Sequence, residues 1–239
     1  TGRLMGAFAQ EMADKKGYTR EEMDNYAISS LNRAKKAIEE GLLKEEIIPV
    51  TVKTRKGEVL VEDDEQPHNA NIEKIPTLRP AFAKDGTVTA ANASSISDGS
   101  SALVLMRESE AEKRGLKPLA RIVAHSTQSQ HPSEFTCAPV GAIQTLFQKT
   151  GWTKDDVDLY EINEAFAMVA MMPIKELGLD PDKVNIHGGA CAQGHPVGST
   201  GSRLLVTLMH ALKRYGKKKG VAALCIGGGE ATAMAIEML

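Results

Sequence analysis

The sequence predicts an α/β protein whose carboxyl-terminal half is a layered, mixed and mostly parallel sheet, preceded by part of a smaller α+β unit. Three observations carry this. From Leu119 onward, short apolar runs alternate with helical periodicity in the order β-α-β-α-β-α-β-β. Such an order builds largely parallel sheets covered by helices on both faces. Before Leu119 the pattern is instead two helices, a hairpin and a polar loop. Finally, 42% of the 239 residues are hydrophobic, 25% charged and only 4% aromatic, which suffices for a real core and excludes intrinsic disorder.

Leu4, Ala7, Phe8 and Met12 share one helical face. The chain starts Thr1-Gly2-Arg3 with neither initiator Met nor leader, so it reads as opening inside a helix of a longer polypeptide. Thr19 with Glu22 forms a capping box, and Met23, Tyr26, Ala27, Leu31, Ala34 and Ile38 continue the helix to Gly41. Residues 47–54 and 58–62 read as strands joined at Arg55-Lys56-Gly57. Residues 63–80 read as a surface loop. The run from Thr87 to Ala102 is nearly all small or polar, either a floppy linker or backbone packed closely against something. Residues 102–106 read as a buried strand and Ser109 as the cap of a short charged helix. Strands then follow at 119–124, 159–162, 184–186, 221–226 and 233–238, with helices at 140–148, 164–177 and 199–215.

Charge removes several functions. Lys plus Arg is 29 and Asp plus Glu 31, a net of −2, which offers no global field for nucleic acid or an anionic membrane. No apolar run approaches the ~20 residues of a membrane span. Cys137, Cys191 and Cys225 are scattered and never form C-x-x-C. Neither a disulfide framework nor a metal site is indicated, and a reducing, cytoplasmic setting is the default.

Three strand ends carry chemistry. Asn163-Glu164-Ala165-Phe166 follows the strand at 159–162, the glycine-rich run Gly188 to Arg203 containing His195 follows the strand at 184–186, and Cys225-Ile226-Gly227-Gly228-Gly229 ends the strand at 221 onward. Each has a structural reading: Asn163 as a helix cap, His195 as a loop histidine, Cys225 as an inert packing group. Together they can place an amide, an imidazole and a thiol at one edge of a sheet, where α/β chemistry collects. The glycines leave backbone N–H groups free to stabilise a developing oxyanion. Neither a P-loop nor G-x-G-x-x-G is met, which sets nucleotide binding low.

At these residues the chain strongly resembles the thiolase family, the acetyl-CoA acetyltransferases and 3-ketoacyl-CoA thiolases. Residues 163–166 match its N-E-A-F motif, 188–203 its G-G-x-x-x-x-G-H-P-x-G-x-x-G-x-R signature, 225–229 its C-x-G-G-G, and 92–99 resemble N-A-S-G-x-N-D-G. The likeness spans the whole chain, corresponding to roughly the last three-fifths of a member. It implies a thiolase-type layered fold: residues 1–96 as part of the loop domain over coenzyme A, 97–118 as the tail of the first half, and 119–239 as the second half. It implies reversible Claisen condensation or thiolysis of acyl-CoA, with coenzyme A as substrate and no further cofactor, and a homodimer or homotetramer for the intact enzyme. By resemblance, His195 activates the nucleophile and binds a thioester oxygen, Asn163 holds a water there, and Cys225 removes the α-proton. The Gly227 N–H donates to a second oxyanion hole, Ser94 contacts the pantetheine arm, Phe166 lines the acyl pocket and Phe135 tunes its depth. The glycine N–H groups and the imidazole are expected to lower the Cys225 pKa.

Departures from the pattern are Ser95, Ser97, Cys191, Gln193 and Glu230-Ala231. A larger one is that none of the three cysteines stands in the context of the family's nucleophile. The chain is therefore expected to be inactive alone, and the apolar helix from Glu164 to lack a partner and leave an exposed patch. Two other readings remain: a non-catalytic acyl-CoA or lipid-binding module, and an interaction domain presenting Lys213-Arg214 and Lys217-Lys218-Lys219. The retention of Asn163, His195 and Cys225 together weighs against the first, and a solvated helix end accounts for the basic cluster.

Overall fold

The structure, a computed structural model, describes residues 2–239. Its elements in chain order are α1 (Met5–Lys16), α2 (Arg20–Glu39), β1 (Val50–Thr54), β2 (Gly57–Val61), α3 (Glu65–Asn69), α4 (Glu108–Lys113), β3 (Ala120–Ser129), α5 (Ala138–Thr150), β4 (Leu159–Ile162), α6 (Ala167–Leu177), α7 (Ala190–Gln193), α8 (Thr200–Arg214), β5 (Lys219–Cys225) and β6 (Glu230–Met238). The α2 capping box is present: Glu22 N–H donates to Thr19 Oγ1 at 3.2 Å and Thr19 N–H to Glu22 Oε2 at 2.8 Å. A cap of this kind is worth about 1 kcal/mol. The β1–β2 hairpin closes with Thr54 opposite Gly57, so its loop is Arg55-Lys56.

β3 to β6 form one sheet in the order β3-β6-β5-β4. Successive residues of β4 supply opposite faces, as the strand period of two requires. Tyr160 and Ile162 pack with Val221 and Ala223 against Ala142, Ile143 and Leu146 of α5. Leu159 packs with Ala222 and Ile236 against Leu204, Leu208 and Leu212 of α8. Each of these buried leucines contributes roughly 1.5–3 kcal/mol. The α/β layering is as expected, but the parallel majority is not. β4–β5 is parallel, while β5–β6 and β3–β6 are antiparallel. The cause is the short turn Ile226–Gly229, where Gly229 has φ 102°. A link that short can only return the chain antiparallel.

Four further expectations need correction. Residues 184–186 form no strand; a single bridge joins Val184 to Tyr160. Asn185 then turns left-handed with φ 48°. Its side chain replaces the ladder, accepting from Ile162 N–H and donating to Ile162 O, both at 2.8 Å. Asparagine is among the few residues that tolerate this conformation. Ser109 lies inside α4, whose cap is Arg107. Residues 63–80 include α3 and a 3-10 turn at Ile72–Thr77. Finally, residues 102–106 are neither strand nor buried: Val104 is 88% and Leu105 69% exposed. Among the described residues, no strand pairs with this segment. Exposed apolar side chains thus include this segment, Ile96, Ile48 and Val197, but not α6, whose Val169, Ala170 and Met172 are fully buried. α6 is covered by α2 and α5.

The first part of the small-residue run, through Asn92, is packed backbone and not linker, whereas Ser95, Ile96 and residues 98–100 are exposed. Gln10 of α1, buried, accepts from Thr87 and Val88 N–H. Asn92, fully buried, donates to Asp24 of α2 at 2.9 Å and accepts from Thr89 N–H at 2.8 Å. The basic end of α8 is not a free patch either: Lys213 Nζ donates to Glu45 at 3.0 Å and Arg214 to Leu42 O at 3.2 Å. Near the start of α8 lies a cluster of titratable side chains. Glu161 and Arg203 stand 3.7 Å apart, and burial pushes Glu161 up to about 8 and nearby Glu46 to about 7.

His187 is buried, with Nε2 3.1 Å from the Tyr215 hydroxyl. Burial, aided by the charge of Arg214, pushes its pKa down to about 4. The unfolded chain, titrating near ~6.5 at this residue, takes the proton first. The contribution is therefore complete above pH ~6.5 and is lost as pH falls toward about 4. Glu46 and Glu161 act oppositely, losing stability as pH rises. We expect thermal melts of His187→Gln to decline less steeply than wild type between pH 6.5 and 4.5. Parallel curves would remove His187 from that acid limb.

Candidate active site

The site is assembled at the carboxyl ends of β4 and β5. The parallel register places Ile162 opposite Ala223, and Asn163 N–H donates to Ala223 O at 2.9 Å. Asn163 and Cys225 thus leave neighbouring strands at one edge. The His195 loop comes to the same edge: Asn163 Nδ2 lies 3.4 Å from His195 Nε2. The segment 92–97 is held between them. Ser94 N–H and Oγ both donate to Ala165 O at 3.0 Å, and His195 N–H donates to Ser95 O at 3.0 Å.

Glu164, next to Asn163, is fully buried. Its carboxylate accepts from Tyr26 Oη at 3.0 Å, Ser30 Oγ at 2.8 Å, Asn185 Nδ2 at 2.8 Å and Cys191 N–H at 3.0 Å. Four donors fill both oxygens, and they come from α2, the turn after β4's neighbour bridge, and α7. Gly189 is part of the same fit, since a Cβ there would collide with the Glu164 carboxyl group. Its N–H donates to Ser30 Oγ at 2.9 Å.

Burial dominates the electrostatics. It lowers the His195 pKa from the usual imidazole value, assisted by the charge of Arg203. The ring is therefore neutral at pH 7. Its Nδ1 lies 2.7 Å from Thr200 Oγ1. Burial also pushes Cys225 up to about 12. This overturns the expected activation: the thiol is held protonated. Cys191 is raised well above its ordinary value by burial and by Glu164, and Cys137 is raised by burial. The Asn163 Oδ1 atom is buried without a protein partner. The Gly227 and Gly228 N–H groups make no hydrogen bond among the described residues, and Gly227 is exposed. This edge therefore offers one acceptor and two donors, together with a neutral imidazole and a neutral thiol.

An aromatic wall adjoins them. Phe166 stands edge-on between Phe82 and Phe135, with ring centroids 6.4 and 6.2 Å apart. Phe135 is 3% exposed and backs Phe166. Cys225, Phe166 and Phe135 belong to one apolar cluster with Met168 and Val169.

Reading the sequence missed Tyr26, Ser30, Asn185 and Thr200. A signal existed for Ser30: it is a polar residue inside the apolar stripe 23, 26, 27, 30, 31, 34 of α2. Asn185 gave none, because its role depends on one left-handed turn. Among the described residues no His, Cys, Asp and Glu group is arranged to hold a metal.

Two outcomes follow. Glu164→Ala leaves four buried donors unpaired and is expected to cost roughly 3–5 kcal/mol in denaturant melts; a loss below ~1 kcal/mol would mean water replaces the carboxylate. Alkylation by iodoacetamide at pH 8, followed by peptide mass analysis, should modify Cys137 before Cys225. Faster reaction at Cys225 would show a thiolate there.

Residues 1–109 match the thiolase N-terminal domain and residues 116–238 the thiolase C-terminal domain. The chain is 51% identical over 236 residues to a mouse (Mus musculus) cytosolic acetyl-CoA acetyltransferase, covering 98% of this chain and 59% of that protein. It superposes on the crystal structure of the Bacillus anthracis acetyl-CoA acetyltransferase with a TM-score of 0.95 at 46% identity, covering 99% of this chain and 60% of the other. On an Ascaris suum thiolase, Acat5, solved in complex with coenzyme A, the TM-score is 0.89 at 40% identity, with 99% and 60% covered. The chain thus spans about three-fifths of the length of the relatives it matches. With both domain families matched along nearly all of its residues, the chain belongs to the thiolase family.

Proposed function

We propose that the chain supplies the acid–base half of an acetyl-CoA C-acyltransferase active site. The reaction is reversible Claisen condensation or thiolysis of acyl-CoA. The observation that carries the reading is the contact of His195 with Asn163, at the end of the strand beside the one that ends in Cys225. The names of the relatives support the substrate class.

In this reading a reactive cysteine, supplied by the part of the relatives that this chain does not cover, loses its proton to His195 Nε2. Its sulfur bonds to the thioester carbon as the carbon–sulfur bond to coenzyme A breaks. The leaving thiolate takes the proton of the Cys225 thiol, so coenzyme A departs as the thiol while His195 stays an imidazolium. A second acyl-CoA enters with its thioester oxygen near His195 and the water-holding Asn163. Cys225, now a thiolate, takes the α-proton of that substrate. The α-carbon bonds to the acyl carbon while the Gly227 N–H stabilises its oxygen charge, and the reactive cysteine's sulfur leaves and recovers its proton from His195. A thiol near pKa ~12 is a poor resting base. In this reading Cys225 becomes the base only after it has given its proton to the departing coenzyme A. Ser94 is the contact for the pantetheine arm. Phe166, backed by Phe135 and Phe82, limits acyl length and favours short chains.

Residues 1–96 are assigned to the loop domain, 97–118 to the tail of the first half and 119–239 to the second half. The exposed Val104 and Leu105 are then covered by the first half in the intact enzyme. We assign that enzyme to the cytoplasm, by analogy with the cytosolic mouse relative, and propose a homo-oligomer only as the family resemblance implies it. Among the described residues no helix is long and apolar enough to cross a membrane.

The chain alone is expected to show no thiolysis of acetoacetyl-CoA above background. Fusion behind the uncovered amino-terminal part of the Bacillus anthracis relative should restore turnover. His195→Ala or Cys225→Ala in that fusion should reduce it by at least ~100-fold, the usual worth of a positioned acid or base. Activity of the isolated chain that is lost on removing Cys137 or Cys191 would place the nucleophile here instead.

A further inference from the structure

Thr200 is fully buried as the first residue of α8. Its hydroxyl lies between two partners. It donates to Pro196 O at 3.0 Å and stands 2.7 Å from His195 Nδ1. A hydroxyl has one proton. With that proton given to Pro196 O, Thr200 presents only a lone pair to the ring.

We propose that Thr200 is a positioning residue that selects the tautomer of His195, fixing the ring proton on Nδ1 and leaving Nε2 as a bare acceptor. The far side of the ring agrees: the Asn163 amide nitrogen, a donor, is what faces Nε2. The backbone reinforces the choice. Thr200 N–H also donates to Pro196 O at 3.0 Å, and His195 N–H is tied to Ser95 O. The hydroxyl is thus tied to main chain within its own turn, and the His195 backbone, though not its ring, to residue 95. The consequence rests on the reading of His195 as the group that takes the nucleophile's proton. When Nε2 accepts it, the imidazolium keeps its Nδ1–H bond to Thr200, and no proton passes to the threonine. The same hydroxyl would hinder chemistry that needs Nε2–H in the resting state, because its proton would first have to leave Pro196 O.

The test is ¹⁵N NMR of the full chain labelled at histidine, with the His195 signals assigned by their loss in His195→Asn. Wild type and Thr200→Ser should show Nδ1 protonated and Nε2 bare in the neutral ring. Thr200→Val, of the same shape without the hydroxyl, should move the proton toward Nε2. It should also shift the titration midpoint of His195 to lower pH, because the imidazolium loses its acceptor. Wild-type His195 protonated on Nε2 would overturn the proposal, whether or not Thr200→Val folds. So would a folded Thr200→Val with an unchanged tautomer and midpoint. The readout needs no turnover, so its failure is distinguishable from failure of the acyltransfer reading.

Discussion

One buried carboxylate holds the site together. Glu164 has no exposure to solvent, and a bare charge there would be very costly. It is compensated by four donors from three separate segments. Because those segments are α2, the Asn185 turn and α7, the requirement to satisfy one side chain fixes where each lies. Asn163 precedes Glu164 directly, and the His195 loop begins where α7 ends. Orienting the carboxylate therefore orients the amide and imidazole beside it. A buried network of this kind carries high stakes, since a half-satisfied version is worse than an apolar replacement.

The same burial sets the protonation of the reactive groups. His195 is kept neutral and Cys225 is kept as a thiol. The glycines following Cys225 do offer N–H groups, but they lie on an exposed turn. Solvent competes there, while the sulfur itself is buried. Desolvation of the thiolate outweighs what those dipoles return, so the resting site is uncharged at its centre. The next titratable groups lie one layer out, where α8 meets β4: Arg203 beside Glu161 and Glu46, two carboxyl groups that burial pushes up to about 8 and about 7.

Local signals read from the sequence translate into structure where a rule acts within a few residues. The Thr19 capping box and the bounds of β4 are of this kind, and the Arg55-Lys56-Gly57 turn is too, although Gly57 itself belongs to β2. Long-range effects were not legible. Residues 102–106 have the composition of a buried strand, yet burial needs a partner strand that the described residues lack. Residues 184–186 also have a strand's composition, but Asn185 turns the chain and lends its side chain to β4 instead. The parallel majority failed because one short glycine turn reversed the last strand. Glu164 was within a motif already singled out, but its partners Tyr26 and Ser30 lie on α2, which no spacing rule connects to it.

Whether His195 and Cys225 open on one chamber is tested most directly by bridging them. In a chain with Cys137 and Cys191 replaced by alanine, His195→Cys provides a second thiol facing Cys225. Treatment with dibromobimane, a short bifunctional thiol reagent, should yield a fluorescent, doubly bonded adduct joining the peptides that carry positions 195 and 225. Two singly modified thiols with no bridged peptide, in a chain that retains its native circular dichroism, would place the imidazole and the sulfur in separate surroundings.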